Sequence, residues 1–175
     1  MAQDNDRGEG NRLEHGQQDV AIDLELGRAV DAEGVEPATW LFAEMGRGVS
    51  AAQYIRTIDW LHGYTRRMAS WWQSGFDLLL TPTLGEPPPK LGELVPPPDN
   101  VLAGMTRSLG LIPFTPPFNI TGQPAISLPL HWNGAGLPIG MQLVATYGRE
   151  DLLLRVAAQL EQASPWADRR PPVHA

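Results

Sequence analysis

The apolar positions fall into a short series of periodic blocks. Val20, Leu24, Leu26 and Val30 suggest a helix that Gly34 interrupts. Pro37 stands where a first helical turn tolerates it, and Trp40, Leu41 and Met45 extend a second short helix to about Gly46 and Gly48. The clearest block opens at Ser50, which forms an S-x-x-Q capping box with Gln53. Tyr54, Ile58, Leu61, Tyr64 or Thr65, Met68 and Trp71 follow at spacings of three and four, and Arg56, Asp59, Arg66 and Arg67 mostly fall off that stripe. Gly75 suits the C-terminal cap of this six-turn helix.

The period then changes. Phe76 to Thr81 reads as a short buried strand ended by Pro82. A proline-rich loop over 82–98 carries the runs Pro87-Pro88-Pro89 and Pro96-Pro97-Pro98, which favour polyproline II and cannot enter a sheet interior. Asp99 is placed to cap a short helix through Val101, Leu102 and Met105 that ends at Gly110. Phe114 to Gly122 is either irregular or a single helical turn. Ala125 to Leu130 and Ile139 to Val144 alternate about the turn cluster Asn133-Gly134-Ala135-Gly136, the pattern of a β-hairpin. Pro129 must then lie where the ladder needs no donor. A last helix, Glu150 to Ala163, has acids in its first turn and a stripe of Leu152, Leu153, Val156, Leu160 and Ala163. The result is α/β, with a few mixed strands including a hairpin packed with helices. Residues 1–19 read as a flexible tail, 20–168 as the folded part and 169–175 as a second tail.

Composition narrows the classes of function. The chain has 175 residues, 42% of them apolar, which suits one ordinary domain. Its net charge of −7 and its lone lysine, Lys90, speak against nucleic-acid or polybasic membrane partners. The absence of cysteine excludes disulfides, a thiol nucleophile and thiolate metal sites. No apolar run approaches a membrane span and the N-terminus lacks a secretory pattern, so a cytoplasmic location is expected. The serines at 50, 70, 74, 108, 127 and 164 occupy no G-x-S-x-G elbow; capping explains Ser50, and the outward face of a strand explains Ser127. His15, His62, His131 and His174 have no ligand spacing, and no phosphate-binding glycine motif occurs, so neither metal nor cofactor is expected. The Asn119-Ile120-Thr121 sequon reads as accidental. The proline runs suit either a rigid loop or an SH3- or WW-type groove. Six tryptophans are many for this length, and serve either the core or a neighbouring surface.

Four motifs occur in order: Phe76-Asp77-Leu78-Leu79-Leu80-Thr81-Pro82-Thr83, the segment Phe114 to Pro129 (FTPPFNITGQPAISLP), Gly136 to Val144 (GLPIGMQLV), and the helix from Asp151 to Ala157 (DLLLRVA). Together they resemble the C-terminal part of the amidase signature family. Val35-Glu36-Pro37-Ala38-Thr39-Trp40 adds a likeness to the branch of bacterial amidases similar to 6-aminohexanoate-cyclic-dimer hydrolase. The resemblance covers roughly residues 20 to 168. It implies hydrolysis of carbon–nitrogen amide bonds by a Ser–cis-Ser–Lys triad, in which an unprotonated lysine and a bridging serine activate the nucleophilic serine. It also implies that Phe114, Thr115, Pro116, Phe118 and Asn119 line the substrate pocket. The competing expectation is structural: Asn119 bonded to backbone, Gly122 at positive φ, and Phe118 in the core. The triad itself has no counterpart, because no two serines are adjacent and Lys90 lies in the proline loop, out of order. The expected roles are therefore a segment of an amidohydrolase, inactive alone, that supplies sheet, core and one pocket wall for a small carboxamide, or a standalone binding module. A complementing chain or a second copy is the expected macromolecular partner.

Overall fold

The computed structural model describes residues 31–171. The expected helix over Val20–Val30 and the tail 1–19 lie outside the described residues. The chain divides into two compact units, with the boundary between Val49 and Ser50.

In the first unit Asp31 forms a turn, its Oδ1 accepting from the amides of Glu33 (3.1 Å) and Gly34 (3.0 Å). Helix α1, Pro37–Arg47, has proline in its first turn and Gly48 at its C-cap. Arg47 pairs with Glu44 and lies 5.1 Å from the Trp40 ring centroid.

The second unit begins with α2, Ala51–Gln73. Its capping box is complete: Ser50 Oγ accepts from Gln53 N at 3.2 Å, and Gln53 Oε1 accepts from Ser50 N at 2.8 Å. Ser74 is the C-cap, and Gly75 follows at φ +107°. Then come β1 (Leu78–Pro82), α3 (Ala103–Leu111), α4 (Pro116–Thr121), β2 (Ala125–Trp132), β3 (Pro138–Ala145) and α5 (Glu150–Ala163).

The three strands form one sheet in the order β1-β3-β2. Both ladders are antiparallel, so the expectation of mixed strands is corrected. A five-residue hairpin loop fixes β2 against β3 antiparallel, and the long passage through α3 and α4 leaves β1 free to take the other edge of β3 in the same sense. Asn133 organises the hairpin loop by accepting from Ala135 N and Leu137 N, both at 3.0 Å. Pro82 and Pro129 lie in edge strands, where a missing donor is tolerated, and Pro138 is the first residue of the central strand; Pro129 stands opposite Gly140 beside a register shift.

Strand alternation splits the apolar residues between two clusters. Leu143, Ala145 and Leu128 face α5, where Leu153 is buried with Val156, Ala157, Leu160 and Trp166 around it. Val144 faces the other way, onto Trp72 of α2 and Phe118 of α4, with Met68, Trp71 and Leu79 packed about them. Val144 and Ala145 have no exposed surface at all.

Three details depart from the sequence expectation. Helix α3 starts at Ala103 with Leu102 as its N-cap, and no side chain caps it. Backbone bonds from Ala103 N to Asn100 O and from Thr106 N to Leu102 O set the entry instead, so Asp99 stays in the preceding turn. Ala163 is exposed, and Ala157 packs inward. Likewise Tyr54, on the stripe of α2, is 62% exposed, and Trp72 is the helix's buried residue. Periodicity defines which side of a helix is apolar but not how far its partner extends. Among the described residues no helix is long and apolar enough to cross a membrane.

Replacing Leu153 with Ala should cost about 2–5 kcal/mol, since it deletes a buried side chain at the centre of the α5 face. Urea unfolding checks this: the midpoint should fall with the slope unchanged.

Candidate functional site

The face of the sheet opposite α5 carries a polar row among apolar neighbours. Alternation places Thr81 of β1, Gln142 of β3 and Ser127 of β2 side by side in register. Gln142 is buried, and its Nε2 donates to Thr81 Oγ1 at 3.1 Å and to the carbonyl of Phe114 at 3.2 Å. One step further along, the hydroxyls of Thr83 and Ser127 are bonded at 2.6 Å. Thr83 N donates to Gly140 O at 2.9 Å, which carries the ladder past Pro82. A Cβ on Gly140 would stand 2.8 Å from both of those hydroxyl oxygens. The close meeting of β1, β2 and β3 here therefore depends on glycine.

The segment entering α4 lies over this row. Phe114, Thr115 and Pro116 are half-buried, with Thr115 at the N-cap and Pro116 as the first helical residue. Phe118 is buried against Trp72 and Val144, as the structural expectation had it. Asn119 is exposed on α4. Gly122 closes the helix at φ +77°, its amide bonded to Phe118 O at 2.9 Å. Thr121, the last residue of the sequon, is buried; its hydroxyl donates to Pro117 O at 2.9 Å and contacts the side-chain oxygen of Gln123. The five expected pocket residues thus share one short stretch, with Phe118 turned into the core. Gln142, Thr81 and Thr83 were not singled out from sequence. The available signal was a polar side chain set between apolar neighbours in each strand, Thr81, Ser127 and Gln142.

Beside the row, Pro82, Leu84, Gly85, Glu86, Pro87, Pro88, Pro138, Ile139 and Gly140 enclose a cleft of about 270 Å³. Its proline-rich rim is fastened to α3. Arg107 bonds Glu93 Oε1 through Nε (3.0 Å) and Nη2 (2.7 Å), and its Nη1 pairs with Glu86. Gly85 N donates to Leu111 O at 2.9 Å, and the loop's Leu94 carbonyl presses on Gly104, where a Cβ would lie 2.1 Å from that oxygen. Hydrogen bonds from Arg107 and then from the Lys90 amide hold the Glu93 carboxyl below its ordinary pKa, and the two carboxylates raise that of Arg107. Lys90 itself is exposed on this loop.

Elsewhere, His62 is exposed on α2 and His131 is exposed on β2. Among the described residues no group of three or more His, Asp or Glu side chains is placed to hold a metal ion. The segment expected to begin a tail opens with Arg169, whose guanidinium lies 4.2 Å from the Trp132 ring centroid.

The amidase family model matches residues 4–154, most of the chain. The chain belongs to the amidase family. This amidase chain is similar to the 6-aminohexanoate-cyclic-dimer hydrolases of Pseudomonas sp. (strain NK87) and of Paenarthrobacter ureafaciens. It is 42% identical to each over 165 residues, 87% of its own length and 34% of theirs. A solved structure of 6-aminohexanoate cyclic dimer hydrolase superposes with a TM-score of 0.81 and 40% identity, over 87% of this chain and 33% of that one. The chain therefore spans about a third of the length of the curated relatives it matches.

Two outcomes test this geometry. Gly140→Ala should destabilise the protein by about 1–3 kcal/mol, because its methyl group displaces two bonded hydroxyls. Gly134→Ala, which meets open space, should leave thermal unfolding unchanged. The second outcome concerns pH. Because the folded pKa of Glu93 is depressed, its contribution is complete above the ordinary carboxylate range and fades as pH falls through the folded value. Amide exchange over residues 85–95, corrected for intrinsic rate, should accelerate as pH falls below the ordinary carboxylate range. In Arg107→Ala the same acceleration should already be present at pH 7.

Proposed function

We propose that this chain acts as the C-terminal part of an amidohydrolase that cleaves small carboxamides, with the Ser–Ser–Lys triad carried by residues other than these. It contributes the sheet, the core helices and one wall of the substrate pocket. Phe114, Thr115, Pro116 and Asn119 form that wall, and Phe118 supports it from the core. Catalysis proceeds on a serine activated by the bridging serine and the unprotonated lysine, through an acyl-enzyme. The setting is cytoplasmic, and neither nucleic acid nor membrane is involved.

The observation that carries this reading is the match of 87% of the chain to about a third of an amidohydrolase, at 42% identity. The residue inventory supports the placement of the triad elsewhere. The serines are isolated from one another, and Lys90, the one lysine, lies on the proline-rich loop. Exposure on α2 points the same way: Tyr54, Ile55 and Trp60 are 62%, 58% and 60% exposed, high for large apolar side chains on a 23-residue helix. That exposure also favours the second reading, a chain that binds a partner without catalysing anything itself.

The test is a graft. This chain replaces the matching third of 6-aminohexanoate-cyclic-dimer hydrolase, and hydrolysis of the 6-aminohexanoate cyclic dimer and of a panel of simple carboxamides is followed. We expect activity from the graft and none from the 175 residues alone. Amide hydrolysis by the isolated chain, or a folded graft inert toward every amide, would remove the proposal. In the source cell, the polypeptide containing this sequence should be far heavier than 19.1 kDa by intact mass.

A further inference from the structure

Gln142 is a polar side chain with only 5% of its surface exposed, in the middle of the strand on which the whole sheet is built. A primary amide this deep must be satisfied, and Nε2 finds two acceptors. The bond to Thr81 Oγ1 joins neighbouring strands that the ladder already holds in register. The bond to the Phe114 carbonyl does something else: it leaves the sheet and fastens the linker between α3 and α4.

That linker has few means of holding itself. Pro113 within it, and Pro116 and Pro117 in the first turn of α4 that follows, have no amide hydrogen to donate. At one end Ile112 N bonds Ser108 O at 3.1 Å within the last turn of α3. At the other, Thr115 O accepts from Phe118 N (3.2 Å) and Asn119 N (3.4 Å) within α4. Both sets of bonds are local to their helices, and Gln142 supplies the tie from the middle of the linker down to the sheet. The chemistry is selective. A neutral amide offers two N–H groups, whereas a carboxylate of the same shape is acceptor-only and opposes a carbonyl.

We infer that Gln142 is a positioning residue: it sets the height of the Phe114-Thr115-Pro116 wall above the sheet, and through it the strength of substrate binding. The inference rests on the reading of the chain as part of an amidohydrolase. A wall residue held out of place weakens binding without altering a triad located elsewhere. The effect should therefore appear in KM and spare kcat.

The test uses the active graft with the 6-aminohexanoate cyclic dimer or whichever panel amide it hydrolyses best. Gln142→Met, similar in length but without a donor, should raise KM about threefold to tenfold, the equivalent of one hydrogen bond, with kcat within about twofold. Gln142→Glu should raise KM at least as much. An unchanged KM, or a loss confined to kcat, overturns the inference. Amide exchange in the full 175-residue chain gives a readout independent of activity. Gln142→Glu should speed exchange at Phe114, Thr115, Phe118 and Asn119 while Val144 and Ala145 keep their protection. Uniform acceleration through β3, or none at the linker, means that the bond is structural filling and the positioning role is wrong. A graft inactive without any substitution sinks the amidohydrolase reading alone, and the exchange result still decides the role of Gln142.

Discussion

Strand β3 is the constraint on which the rest of the second unit depends. It is the central strand, paired on both edges, and it is covered on both faces. Val144 and Ala145, neighbours in sequence, are fully buried in opposite directions. One serves the cluster under α2 and α4, the other the cluster under α5. A slip of one residue would exchange the two faces and bring Gln142 into the α5 core in place of Leu143. Register on both edges is thus specified by the burial of a few residues, and the positions of β1, β2 and the three helices follow from it.

The same strand connects packing to chemistry. Its apolar half, Leu143 to Ala145, anchors the core. Its polar half, Gly140 and Gln142, leaves room for two hydroxyls and reaches the linker before α4. The wall residues of the proposed pocket are accordingly supported by core elements at two points, Phe118 from α4 and the Phe114 carbonyl from β3. Binding residues on a connection between two helices gain the rigidity of the sheet below them.

The proline-rich loop illustrates a different economy. Polyproline segments have little conformational entropy to lose but few donors with which to anchor. Here the anchoring falls to one arginine and two carboxylates, with backbone packing on Gly104. These charges are partly exposed, so they hold a rim in place and contribute little to global stability. They keep the cleft beside β3 lined by prolines and Ile139.

Much of this was legible in the sequence, where the relevant physics is local. The capping box at Ser50, the proline start of α1, the Asn133 turn, the positive φ of Gly122 and the acidic first turn of α5 each depend on residues within a few positions of one another. The motif order also identified the amidase family before any coordinates. What the sequence could not determine was which partner each apolar or polar side chain meets. Tyr54 and Ala163 satisfy helical periodicity and yet are exposed, while Phe118 and Asn119, one residue apart, divide between core and surface. Gln142 gains its meaning from Thr81 and Phe114, 61 and 28 residues away. Short-range spacing encodes the face of an element; the distance and identity of what covers that face are decided when the chain folds, because burial is a property of the pair.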